Sequence, residues 1–185
     1  MLRFSVLRLL SVLILSALTA CSFSNRKGEP ASSSFKVTSG GSNIPAIILI
    51  INEGQTGNTS ADAPFKAILE DSEVSIPYVK LGESVQIQLD KGASAAYELT
   101  DVLLGEDGGY KYKMPNDKPI VIELSSGSGS FVLKENMAAF LSSNTKDYEP
   151  GAIIRGFKLT EQGDGEKREY YFMLRTDAGL VSQSL

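Results

Sequence analysis

Few side chains in this 185-residue sequence could do chemistry, because it holds no histidine, no tryptophan and one cysteine. Nucleophilic systems that use histidine as the base are therefore absent, whether the nucleophile is serine or cysteine. Zinc held by histidine or cysteine is excluded too. What survives is carboxylate chemistry, a Ser-Lys pair, or Ca²⁺ held by oxygen ligands.

Three groups among the 22 acids come into question. Asp101, Glu106 and Asp107 lie near Gly108 and Gly109, so a tight turn could gather them around a cation. Their spacing misses the alternate-position oxygens of an EF-hand loop, and a solvated hairpin is the plainer reading. Asp164 and Glu166 carry the same two readings. Glu70, Asp71 and Glu73 would cleave a glycosidic bond only if two of them faced each other about 5 to 10 Å apart across a cleft. Neighbours on one surface turn make no cleft, so these read as solvated charges. The run "SSGSGS" at 125–130 lacks the Gly-Lys-Ser/Thr ending of a phosphate loop and reads as a hairpin connection. Tyr110, Tyr112, Tyr148 and Tyr171 offer ring area and a hydroxyl to a sugar or a protein, or they cover a sheet. These patterns assign no catalytic residue, no metal ligand and no cofactor.

Cys21 needs a different explanation. Arg3 and Arg8 precede the apolar run "LLSVLILSAL" at 9–18, and small residues follow up to Cys21. That charged, apolar, small-residue order is the order of an export signal. The greasy stretch falls short of the ~20 residues that a membrane-spanning helix needs. Its end, Leu18-Thr19-Ala20-Cys21, resembles the lipobox of bacterial lipoproteins. The resemblance implies cleavage between Ala20 and Cys21 and a diacylglyceryl group on the Cys21 thiol. The alternative is a plain secretory signal that happens to leave a cysteine nearby. Cys21 has no second cysteine to pair with, and an odd cysteine in an exported chain calls for an explanation that lipidation supplies. Paired acyl chains, at ~0.8 kcal/mol per buried CH₂, make a durable anchor.

Removing residues 1–20 takes away two of the 18 basic residues and none of the 22 acidic ones, leaving a net charge of −6. An acidic body without clustered Lys and Arg argues against nucleic acid. The segment 21–34, rich in serine with Gly28 and Pro30, reads as a lipidated flexible tether. Residues 35–185 suit a single domain.

The elements of that domain announce themselves by period. In "SVQIQLD" Val85, Ile87 and Leu89 face one way and Gln86 and Gln88 the other, the signature of a half-buried strand. The same alternation sets Ile120, Ile122 and Leu124 against Val121 and Glu123, and Tyr170, Phe172 and Leu174 against Tyr171, Met173 and Arg175. The first member of each set is the expected core. "AIILII" at 46–51 is apolar without alternation and is expected at the centre of a sheet. Further strands are expected at 35–38, 74–81, 97–104, 110–113, 131–134 and 153–160. The last should form an antiparallel hairpin with Tyr170, Phe172 and Leu174 through the Gly163-Asp164-Gly165 turn, bringing Phe157 and Leu159 into the same interior. Helical turns are expected at 64–71, capped by Asp62, and at 135–143. Nine or so short strands with turn residues between them imply an all-β fold, an immunoglobulin-like antiparallel two-sheet sandwich with one or two short helical turns.

The segments "NMAAFLSSNTKDYEPGAIIRGFKLT" at 136–160 and "IPYVKLGESVQI" at 76–87 resemble small exported lipoproteins of spore-forming Gram-positive bacteria with immunoglobulin-like domains, and "EYYFMLRTDAG" at 169–179 resembles the closing strand of bacterial immunoglobulin-like modules; the resemblance carries no catalytic motif. The resemblance covers about half of the mature chain. With the lipobox it implies lipid anchoring to the extracytoplasmic face of the cell membrane; an envelope protein or polysaccharide is the expected ligand. The expected function is a non-enzymatic binding or structural module. The competing expectations are a carboxylate-based envelope hydrolase and a Ca²⁺-dependent adhesion module.

Overall fold

A strand patterned like "SVQIQL" must lay its apolar side on a second layer, and the computed structural model shows which layer that is. It describes residues 35–51, 60–70, 74–90, 95–112, 118–161 and 167–179. Ala20, Cys21 and the segments expected to be an export signal (1–20) and a tether (21–34) lie outside the described residues, as does the expected turn at 163–165. Contacts gather Ser33–Leu185 into one compact unit.

The elements run β1 (Phe35–Ser39), β2 (Ser42–Ile44), β3 (Ala46–Ile51), helix α1 (Ala63–Glu70), β4 (Ser84–Leu89), β5 (Ala95–Leu104), β6 (Ile120–Leu124), β7 (Ser128–Val132), two 3-10 turns (Met137–Leu141 and Thr145–Tyr148), β8 (Ile153–Glu161) and β9 (Lys167–Thr176). They make the all-β, antiparallel two-sheet sandwich with one short helix that the sequence led one to expect. The strand order is β2-β1-β4-β7 in one sheet and β3-β9-β8-β5-β6 in the other. Val37, Val85, Ile87 and Leu89 from the first sheet meet Leu99, Leu124, Phe157, Leu159, Tyr170, Phe172 and Leu174 from the second in one core. The β8–β9 hairpin has the expected register, with Phe157 opposite Phe172 and Leu159 opposite Tyr170. Phe157 and Phe172 stack with centroids 4.9 Å apart.

The five-stranded sheet differs from expectation in being covered on both faces. Tyr171 and Met173, assigned by alternation to the outer side, are 4% and 0% exposed. Helix α1 lies over them, and Phe65, Ile68, Leu104, Ile154, Tyr171 and Met173 form a second core. Burying Phe65 and Ile68 there contributes roughly 1.5–3 kcal/mol each. Gly156 makes the close approach possible: a Cβ at that position would lie 2.8 Å from the Phe65 ring and 2.8 Å from Leu104 Cδ1. Asp62 begins the helix through its backbone carbonyl, which accepts from the N–H groups of Phe65 and Lys66. Its carboxylate, expected as the cap, instead accepts from the Ser60 hydroxyl and pairs with Lys66. These two partners hold its pKa at about 2.

Other expectations are corrected. β3 is an edge strand, not a central one, with Leu49 and Ile50 exposed. An unbroken apolar run signals burial only when elements pack beside it, and among the described strands β9 alone pairs with this one. Ile120, expected in the core with Ile122 and Leu124, is half exposed at the start of β6, the opposite edge strand, while Ile122 and Leu124 are buried. The stretch 74–81 is no strand: Pro77 lacks an N–H, and the segment touches the end of β9 at one bridge, Tyr78 to Arg175. Tyr110 likewise contributes a single bridge, to Leu104. The helical turn expected at 135–143 is the 3-10 turn Met137–Leu141, with the Asn136 side chain accepting from Ala138 N–H.

Candidate functional site

Because Val37, Val85 and Ile87 point into the core, Lys36, Thr38, Gln86 and Gln88 must point out of the four-stranded sheet. The register turns that alternation into a surface. Thr38 lies opposite Asn43 on one side and Gln86 on the other, and Gln86 lies opposite Ser130. Lys36 lies opposite Gln88, and Gln88 opposite Ser128. Two polar rows therefore cross the sheet, with ~4.8 Å between strands and ~6.7 Å between rows. Amides and hydroxyls dominate them, with Lys36 as the charge.

The rows line a concavity of about 420 Å³. Its shape follows from side-chain length: long glutamines on β4 stand beside short serines on β7. β7 comes close because of a two-residue turn. Ser125 and Ser128 exchange both N–H···O bonds, and Ser126 and Gly127 have φ of 50° and 76°. That is the type I′ geometry whose twist matches a hairpin. β6 and β7 nevertheless belong to different sheets, so the turn carries the chain across the sandwich. Gly129 permits the crossing, since a Cβ there would sit 2.4 Å from Leu124 Cδ2 and 2.9 Å from the Glu123 carbonyl. The "SSGSGS" run, read as a hairpin connection, is thus a turn followed by one wall of the site.

None of the described acids and tyrosines singled out for chemistry lines this concavity. Asp101 is bidentate to Arg155, with Nε at 3.0 Å and Nη2 on the other oxygen. Arg155 is buried, also donates to the Lys134 carbonyl at 2.5 Å, and lies 5.2 Å from the Phe157 ring centroid. Glu106 pairs instead with Arg175 at 2.6 Å, and Asp107 accepts from Gly109 N–H at 3.0 Å. The three carboxylates considered for Ca²⁺ therefore serve three separate partners. Among the described residues no three acids or thiols stand close enough to hold a metal ion. Glu70 is exposed at the end of α1; Asp71, Glu73, Asp164 and Glu166 lie outside the described residues.

The tyrosines do structural work. Tyr110 donates to the Ala61 carbonyl at 3.0 Å, and Tyr148 to the Ser142 carbonyl at 2.8 Å. Tyr112 packs against a small third cluster around Leu103 and Ile153. Tyr171 donates to Glu169; burial first, then that carboxylate, pushes its pKa well above the ordinary range and keeps it a donor. Elsewhere Asp147 accepts from Lys111 Nζ at 2.5 Å and from the Ser142 hydroxyl, which hold its carboxyl below the usual range.

The polar face was missed as a site because its residues are ordinary outward positions in the sequence. The available signal was the pair Gln86 and Gln88, whose neighbours appear only when β1 and β7 are placed. Compared with protein-family models, curated proteins and solved structures, the chain finds no match. Among the described residues no helix is long and apolar enough to cross a membrane.

Proposed function

We propose that this protein is a non-enzymatic binding module, anchored by an acylated Cys21 at the extracytoplasmic face of a bacterial membrane. It binds an extended, hydroxyl-rich polymer of the cell envelope across β1, β4 and β7. The observation that carries the binding half is the pair of polar rows over a shallow concavity without a carboxylate. Amides offer two donors and an acceptor, and serine and threonine hydroxyls offer both roles, a set suited to sugar hydroxyls. Lys36 adds an attraction for an acidic substituent. Hydrolysis of such a polymer would need two facing acids, and the rows supply none.

The anchoring half is supported by the signal and by Leu18-Thr19-Ala20-Cys21. Metabolic labelling with a fatty acid tests it: label is expected on the wild-type chain, and a Cys21→Ser chain that still carries label refutes it. Binding is tested with insoluble envelope polysaccharide. The wild type should co-sediment and the Gln86→Ala/Gln88→Ala variant should not; equal retention of the two would remove the polar face from the function.

A further inference from the structure

Within the two polar rows, four side chains form a donor set of their own. Lys36 lies opposite Gln88 and Thr38 opposite Gln86, so these four stand at the corners of a rectangle of ~4.8 by ~6.7 Å on the outer face of β1 and β4. Lys36, Gln86 and Gln88 are exposed and Thr38 is half-buried. Every corner can donate a hydrogen bond, from the ammonium, the two amides and the hydroxyl. The amides and the hydroxyl can also accept, but the ammonium cannot. A ligand group above the rectangle is therefore met by donors from all four corners and by one full positive charge.

Charge narrows the ligand further. The chain has 22 acidic residues against 18 basic ones, yet none of the residues lining the concavity is acidic. A concave surface that carries one sign of charge gathers the opposite sign from solution. The acid next along the chain from β4, Asp90, follows the end of the strand and is not among the lining residues. Its charge repels an anion from the Phe35–Leu89 end of the face and so steers it towards Thr38 and Gln86.

We infer that the bound polymer carries oxyanions, and that Lys36, helped by Thr38, Gln86 and Gln88, selects it for them. The inference rests on the reading of this face as a polymer-binding surface and adds the class of polymer: a polyhydroxyl chain bearing phosphodiester or carboxylate groups, rather than a neutral glycan. An oxyanion accepts several hydrogen bonds at once, and those from a cation are roughly twice as strong as neutral ones. A neutral sugar hydroxyl would accept from Lys36 without matching its charge. Lys36 is thus the residue that discriminates, while the amides and hydroxyls serve charged and neutral polymers alike.

The test titrates the full chain with three soluble polymers of similar length: a neutral dextran, a polyuronate and a poly(glycerol phosphate). The readout is the ratio of affinities, anionic polymer over dextran. At low salt the wild type should bind at least one anionic polymer about threefold to tenfold more tightly than dextran, the worth of one charged contact at a solvated site. The two anionic arms then say whether phosphodiester or carboxylate is preferred. Lys36→Gln keeps a donor at that corner and removes the charge, so the ratio should fall to about one; Lys36→Glu should take it below one. Salt at about 0.5 M should likewise erase the preference, because it screens the charge. A wild-type ratio near one overturns the inference, while dextran binding that disappears in Gln86→Ala/Gln88→Ala upholds the reading of the face by itself. A preference for the anionic polymer that survives Lys36→Gln also overturns the inference. If the wild type binds none of the three, the inference and the reading fall together.

Discussion

Truncating Tyr171 to alanine is the sharpest probe of this architecture, because simple alternation along β9 makes Tyr171 an outward residue whose loss should cost little. The structure gives it 4% exposure, an edge-to-face contact with Phe65 at 5.4 Å, Lys158 Nζ 6.0 Å from its ring centroid, and a hydroxyl bonded to Glu169. Removing a buried ring of this size costs about 3–5 kcal/mol once the cavity is included. Glu169, 5% exposed, keeps Lys158 at 2.6 Å but loses a donor, which adds to the loss. Phe172→Ala, on the opposite face, removes the stack on Phe157 and the edge contact with Phe35 at 6.2 Å. It should cost the same ~3–5 kcal/mol. Against a total stability of about 5–15 kcal/mol either change is severe. At a urea dependence of ~2 kcal/mol per molar, each should lower the unfolding midpoint by about 1.5–2.5 M. Circular dichroism melts of the two variants with the wild type decide it. A loss at Tyr171 below ~0.5 kcal/mol, the surface range, beside a large loss at Phe172 would refute the packing of α1 on the sheet.

Gly129→Ala should destabilise the fold by about 1–3 kcal/mol or more, because the new methyl meets Leu124 and the Glu123 backbone carbonyl, and the latter cannot rotate away; a thermal melt reads it. Ser126→Asn should raise stability by up to about 1 kcal/mol, since asparagine tolerates the left-handed conformation that Ser126 holds at φ 50°; an unchanged or lowered melting temperature contradicts it. Asp147 has a folded pKa below the unfolded 3.8, so its contribution is present above pH 3.8 and is lost as pH falls through the lower, folded value. Stability measured between pH 5 and pH 2 should therefore fall more steeply for the wild type than for Asp147→Asn, and parallel curves would remove the Lys111–Asp147 link from the fold's acid response. Gln86→Ala and Gln88→Ala should each change stability by less than about 0.5 kcal/mol, which separates their effect on polymer binding from misfolding.

Local pattern determined a good deal of this protein. The period of two in β4 and β9, with the expected pairing of β8 against β9, placed Val85, Ile87, Phe157, Leu159, Tyr170 and Phe172 in one interior, because a strand sends alternate side chains to opposite faces wherever it lies. The turn-rich spacing implied the sandwich, and a sequence without histidine offers no histidine base to a serine or cysteine nucleophile. The proposed lipid address at Cys21 is likewise read from a short linear stretch. What period cannot carry is coverage and register, which are set by residues distant in the chain. Tyr171 is buried because α1, a hundred positions earlier, crosses over it, and "AIILII" is an edge because β9 is its one partner among the described strands. Asp101, Glu106 and Asp107 are sequence neighbours with unrelated partners on β8, β9 and their own turn. The polar face exists only where β1 and β7 set Lys36, Thr38, Ser128 and Ser130 beside Gln86 and Gln88. Hydrogen-bond register between distant strands makes those neighbours, and it is settled by the simultaneous packing of both sheets rather than by any one segment.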